Sequence, residues 1–91
     1  CKIVAGTVIR NITAGATATV FTYAQLNTLL GVSNSTNNNT TVYACNGDYN
    51  AQNHRIYSVD AVPSGSRWDV RFGDNSATGA YRFNYIVAYF G

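Results

Sequence analysis

The chain has 91 residues, a length that makes one domain with a modest hydrophobic core. Only 11% of the residues are charged and the net charge of +2 is scattered, so a nucleic-acid-binding surface is not predicted. The sequence has no apolar run of about 18 residues, and membrane insertion is not predicted either. Glu and Met are absent and Lys occurs once, which disfavours solvent-exposed helices. A mainly β fold in one domain, residues 1–91, follows.

The first third of the chain predicts two strands and one short helix. Residues 2–13 are rich in β-branched side chains, which favour a strand that is either continuous or bent at Gly6. A second short strand ends at Phe21. Residues 22–31 then carry three leucines at helical spacing, with a Thr that can cap the first turn and a Gly where a helix would stop. These signals predict a helix at about residues 23–30 that plugs one end of the sheet.

The rest of the chain alternates between polar loops and short strands. Residues 32–41 are dominated by Asn, Ser and Thr and predict a loop. Further strands are predicted at 42–45, 54–62, 67–72 and 80–90, separated by a polar loop at 46–53, a Pro-containing turn at 63–66 and a Gly-rich tip at 73–79. We expect the last two strands to form a hairpin with an exposed tip. Six or seven strands and one helix predict a small antiparallel β-sandwich, jelly-roll-like.

The closing strand is the most apolar and aromatic part of the chain. At period two, one of its faces receives Tyr81, Phe83, Tyr85, Val87 and Tyr89. The other face receives Ala80, Arg82, Asn84, Ile86, Ala88 and Phe90. The second half is apolar on both faces, which predicts a central strand covered by protein on both sides. A sandwich of this size does not need so much apolar surface, so we expect part of it to contact copies of the same chain.

Short motifs in the second half of the chain resemble a known family. They are the run Val42-Tyr-Ala-Cys-Asn-Gly-Asp-Tyr-Asn50, the strand from His54 to Val62, the run Trp68-Asp-Val-Arg-Phe72, the Gly-rich tip and the closing run Arg82-Phe-Asn-Tyr-Ile-Val-Ala-Tyr-Phe90. They resemble the C-terminal receptor-binding (head or tip) domains of bacteriophage tail fibres and related virion receptor-binding proteins. The resemblance implies an extracellular, virion-borne homotrimer that attaches to a host cell-surface saccharide or protein receptor, with no catalysis. The Asn/Thr-rich loop and the short helix depart from the family's pattern.

The polar loops supply residues that suit sugar recognition. A sugar site combines an aromatic side chain for the apolar face of a pyranose with fixed amide or carboxylate partners for its hydroxyls. The predicted ligand-binding residues are Asn46, Asp48, Tyr49, Asn50, His54, Arg71, Asp74 and Asn75. Tyr49 is the preferred aromatic platform, and Tyr57 stands on an adjacent strand. Trp68 shares a face with Val70 and Phe72, so we expect it in the core.

Catalysis and metal binding are not predicted, and no cofactor is expected. The single histidine, His54, has no nucleophile motif beside it, and four Asp without any Glu make a poor carboxylate pair for glycoside cleavage. Two Cys and one His do not fill a four-ligand zinc site. Asp48, Asn50 and Gln52 resemble the start of an EF-hand loop, but the Gly and Glu that complete such a loop are missing.

Two other functions stay open. One is a small secreted lectin or toxin-like protein in which Cys1 and Cys45 form a disulfide. Free thiols, with Cys45 facing the core, are the preferred expectation, because Cys1 lies at the terminus. The other is a structural trimerisation or capping module without a ligand. Because the chain begins with Cys1 rather than Met, we expect a processed product or an excised fragment.

Overall fold

The computed structural model describes residues 1–48, 55–73 and 77–91. Within these ranges, six strands, one α-helix and a short 3-10 turn follow one another along the chain. Their bounds are β1 (Lys2–Ile12), β2 (Thr17–Thr22), α1 (Tyr23–Leu30), β3 (Thr40–Asn46), β4 (Ile56–Val62), the 3-10 turn (Pro63–Gly65), β5 (Arg67–Phe72) and β6 (Gly79–Tyr89). The predicted polar loop after β3 and the predicted tip before β6 lie partly outside the described residues.

The strands form two three-stranded antiparallel sheets. Sheet I has the order β1-β6-β3, and sheet II has the order β2-β5-β4. Apolar side chains from both sheets and from α1 make one core. Its most deeply buried members include Val20, Leu26, Leu30, Val70, Phe83 and Val87. The predicted antiparallel β fold with one short helix is therefore confirmed.

Strand β6 is the middle strand of sheet I, as its sequence predicted. It pairs with the whole length of β1 on one side and with β3 on the other. The register is unbroken through Gly6, so β1 is continuous rather than bent there. Phe83 and Val87 on one face are fully buried, whereas Ile86 on the other face is 50% exposed. The face of Phe83 and Val87 therefore lines the core, but the chain itself does not cover the outer face.

Helix α1 begins and ends where the local sequence predicts. The Thr22 hydroxyl accepts a hydrogen bond from the Gln25 N–H at 3.1 Å, and the Gln25 side-chain oxygen accepts one from the Thr22 N–H at 2.9 Å. This reciprocal capping box satisfies two N–H groups that the helix itself cannot pair. Gly31, with a left-handed φ of 70°, ends the helix. Leu26 and Leu30 are fully buried and α1 contacts the edge strands β1 and β2, so the helix covers one side of the core.

The predicted hairpin between the last two strands is wrong. Strand β5 pairs with β2 and β4, and β6 pairs with β1 and β3, so the connection crosses from one sheet to the other. The two strands meet face to face across the core, where the rings of Phe72 and Tyr81 stack edge-to-face with centroids 5.4 Å apart. An alternating strand can pair through its edge or pack through its face, and its own pattern does not decide which. The predicted turn between β4 and β5, by contrast, does join two paired strands.

The Asn/Thr-rich loop between α1 and β3 is held in place by its own side chains. Ser35 is buried, and its hydroxyl donates to the Tyr23 carbonyl at 3.2 Å. The Ser35 N–H donates to Asn27 Oδ1 at 2.9 Å. The Thr36 N–H donates to Asn39 Oδ1 at 2.8 Å. The loop was predicted from its polar composition, and the same polar atoms attach it to the helix.

Both cysteines are free and exposed. The expected free thiols are therefore confirmed, but Cys45 lies on the outer face of sheet I, so the expectation that it faces the core is wrong. In the register of sheet I, Cys45 is opposite Asn84, while Lys2, the neighbour of Cys1, is opposite Tyr89. Cys1 is thus six residues further along the sheet and two strands away, and at about 3.3 Å per residue and about 4.8 Å per strand the two cysteines lie on the order of 20–25 Å apart. A disulfide needs Cα atoms within roughly 7 Å, so this fold excludes a Cys1–Cys45 bridge.

Candidate functional site

Three of the eight predicted ligand-binding residues lie in the described part of the chain: Asn46, Asp48 and Arg71. The other five lie outside it: Tyr49, Asn50, His54, Asp74 and Asn75. Asn46 ends β3 in sheet I, and Asp48 follows two residues later. Arg71 is exposed on the outer face of β5, in sheet II. The structure therefore places Arg71 on a different surface from Asn46 and Asp48.

The Asp48 carboxylate bonds the chain after β3 to β6, and the Asn46 side-chain oxygen stabilises the turn between Asn46 and Asp48. The Asp48 N–H donates to Asn46 Oδ1 at 2.7 Å, and the Arg82 N–H donates to Asp48 Oδ2 at 3.1 Å. The Gly47 N–H donates to the Arg82 carbonyl at 2.8 Å. One side-chain oxygen of each residue is thus used by a backbone donor, which is the usual role of Asn and Asp in turns.

A cleft of about 240 Å³ opens between the edge strands β3 and β4 and includes Asn46. We call it the β3–β4 cleft; Tyr43, Tyr57 and Ser58 also line it. Tyr43 is 66% exposed and Tyr57 is 75% exposed. The Tyr57 ring lies over Gly73, since a Cβ added to that glycine would come within 3.1 Å of the ring. Two exposed aromatic rings thus stand beside an amide and a hydroxyl, the combination that sugar recognition uses.

Sequence reasoning named Asn46 and Tyr57 but missed Tyr43 and Ser58. The signal for Tyr43 was present, because it alternates with the apolar residues Val42 and Ala44 and must point away from the core. Ser58 had no such signal. Ser58 lines the cleft because β3 and β4 lie side by side at the open edges of two different sheets. Local sequence does not predict that arrangement.

Trp68 lies in the core, as predicted. It is 7% exposed and shares the inner face of β5 with Val70 and Phe72. It is therefore not a surface platform for a ligand.

The outer face of sheet I is a second exposed surface with distinctive chemistry. We define its apolar part, the apolar face, as Ile3, Ala5, Ile9, Ile86 and Ala88. Ile3 and Ile9 are 66% and 56% exposed. The register pairs Ile3 with Ala88 and Ala5 with Ile86, which makes these four side chains continuous across two strands, while the pair of Thr7 and Asn84 separates them from Ile9. Contiguous exposed apolar surfaces are more common at interaction sites than elsewhere on a protein surface.

Only part of the closing-strand surface expected to contact other copies is available for contact. Val87 is fully buried, and Tyr85 and Tyr89 pack against the core. Ile86 and Phe90 remain 50% and 56% exposed. The other exposed hydrophobic residues of this outer face come from β1 and, in the case of Tyr43, from β3. The places of these two strands beside β6 could not be read from the sequence.

The outer face of sheet II is polar. Arg67 Nε donates to Asp69 at 3.1 Å, and the Thr19 hydroxyl donates to the same carboxylate at 3.0 Å. The Ser58 hydroxyl donates to Asp60 at 2.8 Å. These groups satisfy one another at the surface, where such pairs contribute little to stability. The two sheets thus present chemically different outer faces.

In comparisons with known proteins, no family model matches the chain, and no curated protein or solved structure is significantly similar to it. Within the described ranges, no three His, Cys, Asp or Glu side chains are grouped so that they could hold a metal ion. The described α-helix has eight residues, whereas crossing a bilayer takes about 20. The fold and its surfaces define a small two-sheet β domain with an aromatic-lined cleft at one edge and an exposed apolar face.

Proposed function

We propose that this domain is a non-catalytic receptor-binding module of a phage tail fibre or similar virion appendage. It binds a host cell-surface saccharide and acts as a homotrimer outside the cell. The observation that carries the proposal is the β3–β4 cleft, where the exposed rings of Tyr43 and Tyr57 stand beside the Asn46 amide and the Ser58 hydroxyl. The resemblance of residues 42–91 to tail-fibre tip domains supports the same function.

The cleft suits a neutral pyranose. Aromatic rings cover the apolar face that such a sugar presents, and polar side chains pair with its hydroxyls. Ser58 already donates its proton to Asp60, so its oxygen is oriented and its remaining lone pairs can accept a hydrogen bond. The described residues that line the cleft carry no formal charge. A neutral sugar would therefore bind without the desolvation of an ion.

The apolar face supports the homotrimer. Three strands of up to 11 residues cover roughly 500 Å² in projection, while a standard interface buries about 800 Å² of accessible surface per partner. This face is smaller than a standard interface, and Tyr43 at its β3 edge also lines the β3–β4 cleft, so we expect the contact between copies to centre on β1 and β6. Arg82 is the one charged side chain on the outer face of the described sheet I. Identical copies can therefore bring this face together with little like-charge repulsion.

The assembly is tested by the solution mass of the full chain, measured by light scattering at micromolar concentration. We expect about three times 9.8 kDa for the wild type and a mass near 9.8 kDa for Ile86→Lys, which places a charge in the apolar face. Thr17→Lys on the exposed start of β2 is the matched control and should leave the mass unchanged. A monomeric wild type would overturn the trimer.

Saccharide binding is tested by screening the full chain against a panel of cell-surface glycans and host cells. Tyr57→Ala should weaken binding about 10-fold, whereas Tyr57→Phe keeps the ring and should retain most of the affinity. Equal effects of the two variants would show that the ring is not the contact. If the chain is a trimer but binds neither glycans nor host cells, the receptor-binding function is wrong. The domain would then be a structural trimerisation module.

A further inference from the structure

A separate cleft of about 330 Å³ lies between β1 and helix α1. We call it the arginine cleft. Its walls include Arg10, Phe21, Gln25, Thr28, Leu29 and Tyr85. Most of its exposed lining is apolar, but a guanidinium, an amide and two hydroxyls converge on it. None of these residues belongs to the predicted ligand-binding set or to the β3–β4 cleft.

Arg10 is a half-buried cation with no anion beside it among the described residues. Strand β1 turns it to the inner side of sheet I, where its Nε donates to the Val20 carbonyl at 2.8 Å. Its Nη2 donates to Gln25 Oε1 at 3.3 Å, and the guanidinium lies 5.2 Å from the centre of the Phe21 ring. No carboxylate pairs with Arg10 in the described ranges. A partly buried charge that lacks a counter-ion is energetically costly unless something compensates it.

The geometry leaves one end of the guanidinium available. With Nε and one N–H of Nη2 in use, both N–H groups of Nη1 and the second N–H of Nη2 have no acceptor among the described residues. These two nitrogens form a planar fork, which matches the two oxygens of a carboxylate. Burial lowers the pKa of Arg10, and the Coulomb interaction with the Tyr85 phenol acts in the opposite direction. A carboxylate at the fork would supply the charge that the fold lacks.

Gln25 fixes the position of this fork. Its Oε1 accepts both from the Thr22 N–H at 2.9 Å and from Arg10 Nη2 at 3.3 Å. The capping box of α1 thus sets the orientation of the amide, and the amide in turn holds the guanidinium. The site is already organised before any ligand arrives, which lowers the entropy cost of binding.

The rest of the cleft suits a sugar ring. Leu29 and the Tyr85 ring are half-buried and provide an apolar wall. The Gln25 side-chain nitrogen and the Tyr85 hydroxyl have no partner among the described residues and can bond to sugar hydroxyls. Thr28 donates to the Ala24 carbonyl at 3.2 Å and can still accept. An apolar wall beside several hydrogen-bonding groups fits a pyranose better than a simple aliphatic acid.

We propose that the arginine cleft is a second binding site, specific for saccharides that carry a carboxylate, as uronic and sialic acids do. The carboxylate pairs with the free fork of Arg10, and the sugar ring packs against Tyr85 and Leu29. The site shares no residue with the β3–β4 cleft, so each of the two proposed binding sites can be tested and refuted separately. Arg10 could have another role, because an inward-pointing charge on an edge strand such as β1 discourages aggregation. The test therefore measures ligand binding and not only stability.

The experiment titrates the full chain with matched pairs of ligands by calorimetry, namely methyl glucuronide against methyl glucoside and sialyllactose against lactose. We expect the wild type to prefer the acidic member by about 10-fold or more, the value of a charge-assisted contact. Arg10→Gln should abolish that preference. Arg55→Gln, which removes an exposed arginine elsewhere, should retain it.

Arg10→Gln also loses the bond to Val20 and can fold less well, so the wild type is followed in parallel by NMR. Methyl glucuronide should shift the side-chain signals of Arg10 and Gln25, and Tyr85→Phe should reduce its affinity several-fold without unfolding the chain. The proposed site in the arginine cleft is wrong if both members of a pair bind with equal affinity. It is also wrong if Arg10→Gln keeps the preference for the acidic member. Either result leaves the proposed function intact. A protein that binds no saccharide at all overturns both.

Discussion

Gly6 and Tyr85 are directly opposite each other in the β1–β6 ladder, and a Cβ at Gly6 would lie 2.8 Å from the Tyr85 hydroxyl oxygen. The glycine therefore makes room for the phenol. The Tyr85 ring in turn packs edge-to-face on Phe21, with centroids 5.1 Å apart. This pair connects the middle of sheet I to β2 and forms one wall of the arginine cleft. Of the two alternatives that the sequence left open at Gly6, the strand is continuous, and the glycine is a packing site.

Gly6→Ala should displace the Tyr85 ring and destabilise the fold by about 1 kcal/mol, because the added methyl group overlaps the phenol. Gly79→Ala is the control, since nothing lies within 4 Å of its added Cβ. The free energies of unfolding from urea denaturation should separate the two variants. Equal values within about 0.5 kcal/mol, the usual scatter of surface substitutions, would contradict the contact.

Tyr23→Phe and Tyr81→Phe should change stability in opposite directions. The Tyr23 hydroxyl is buried without a partner in the described structure, so its removal should be neutral or stabilise the fold by up to about 1 kcal/mol. The Tyr81 hydroxyl donates to the Ala77 carbonyl, so its removal should cost about 1 kcal/mol. Urea denaturation of the two variants measures both effects. Destabilisation by Tyr23→Phe would mean that its hydroxyl has a partner.

Thr22→Ala should destabilise the domain by about 1 kcal/mol, because it removes the side-chain cap of α1. Thr28→Ala, within the same helix and exposed, should be neutral or slightly stabilising, because Ala has the higher helix propensity. Thermal unfolding followed by circular dichroism distinguishes these outcomes. A Thr28→Ala variant that is as unstable as Thr22→Ala would indicate that the capping box is not the source of the effect.

Oxidation should leave each monomer without an internal disulfide. Cys1 and Cys45 lie too far apart along sheet I to be bridged, whereas both thiols are exposed and can react between molecules. Mass spectrometry after mild oxidation should detect intact monomers with two alkylatable thiols, or dimers linked between chains. The midpoint of unfolding should be the same with and without a reductant. A monomer with a Cys1–Cys45 bridge would refute the register of sheet I.

The limits of the capped helix and the inner face of β6 could both be predicted because each depends on neighbours in sequence. A capping box needs residues three positions apart, and a strand sends alternate side chains to opposite faces. The pairing of β6 could not be predicted in the same way. Its partner β1 lies at the far end of the chain, and the nearby β5 turned out to pack across the core instead.

The residues of the candidate sites also differ in whether neighbours in sequence or distant contacts determine their role. Asn46 was found from turn chemistry, and the outward position of Tyr43 could be read from alternation. Arg10 offered no local signal, because its meaning depends on the Val20 carbonyl and Gln25, which the fold brings beside it.

The sequence by itself determined the β class, the cap residues and the inner face of the central strand, since all of these follow from local propensity and periodicity. Only the tertiary structure decided which strands pair, which apolar residues stay outside and which polar groups converge on a cleft. Those features depend on contacts between distant segments. Many pairings of six alternating strands satisfy the same local pattern, and only packing of the whole core selects one of them.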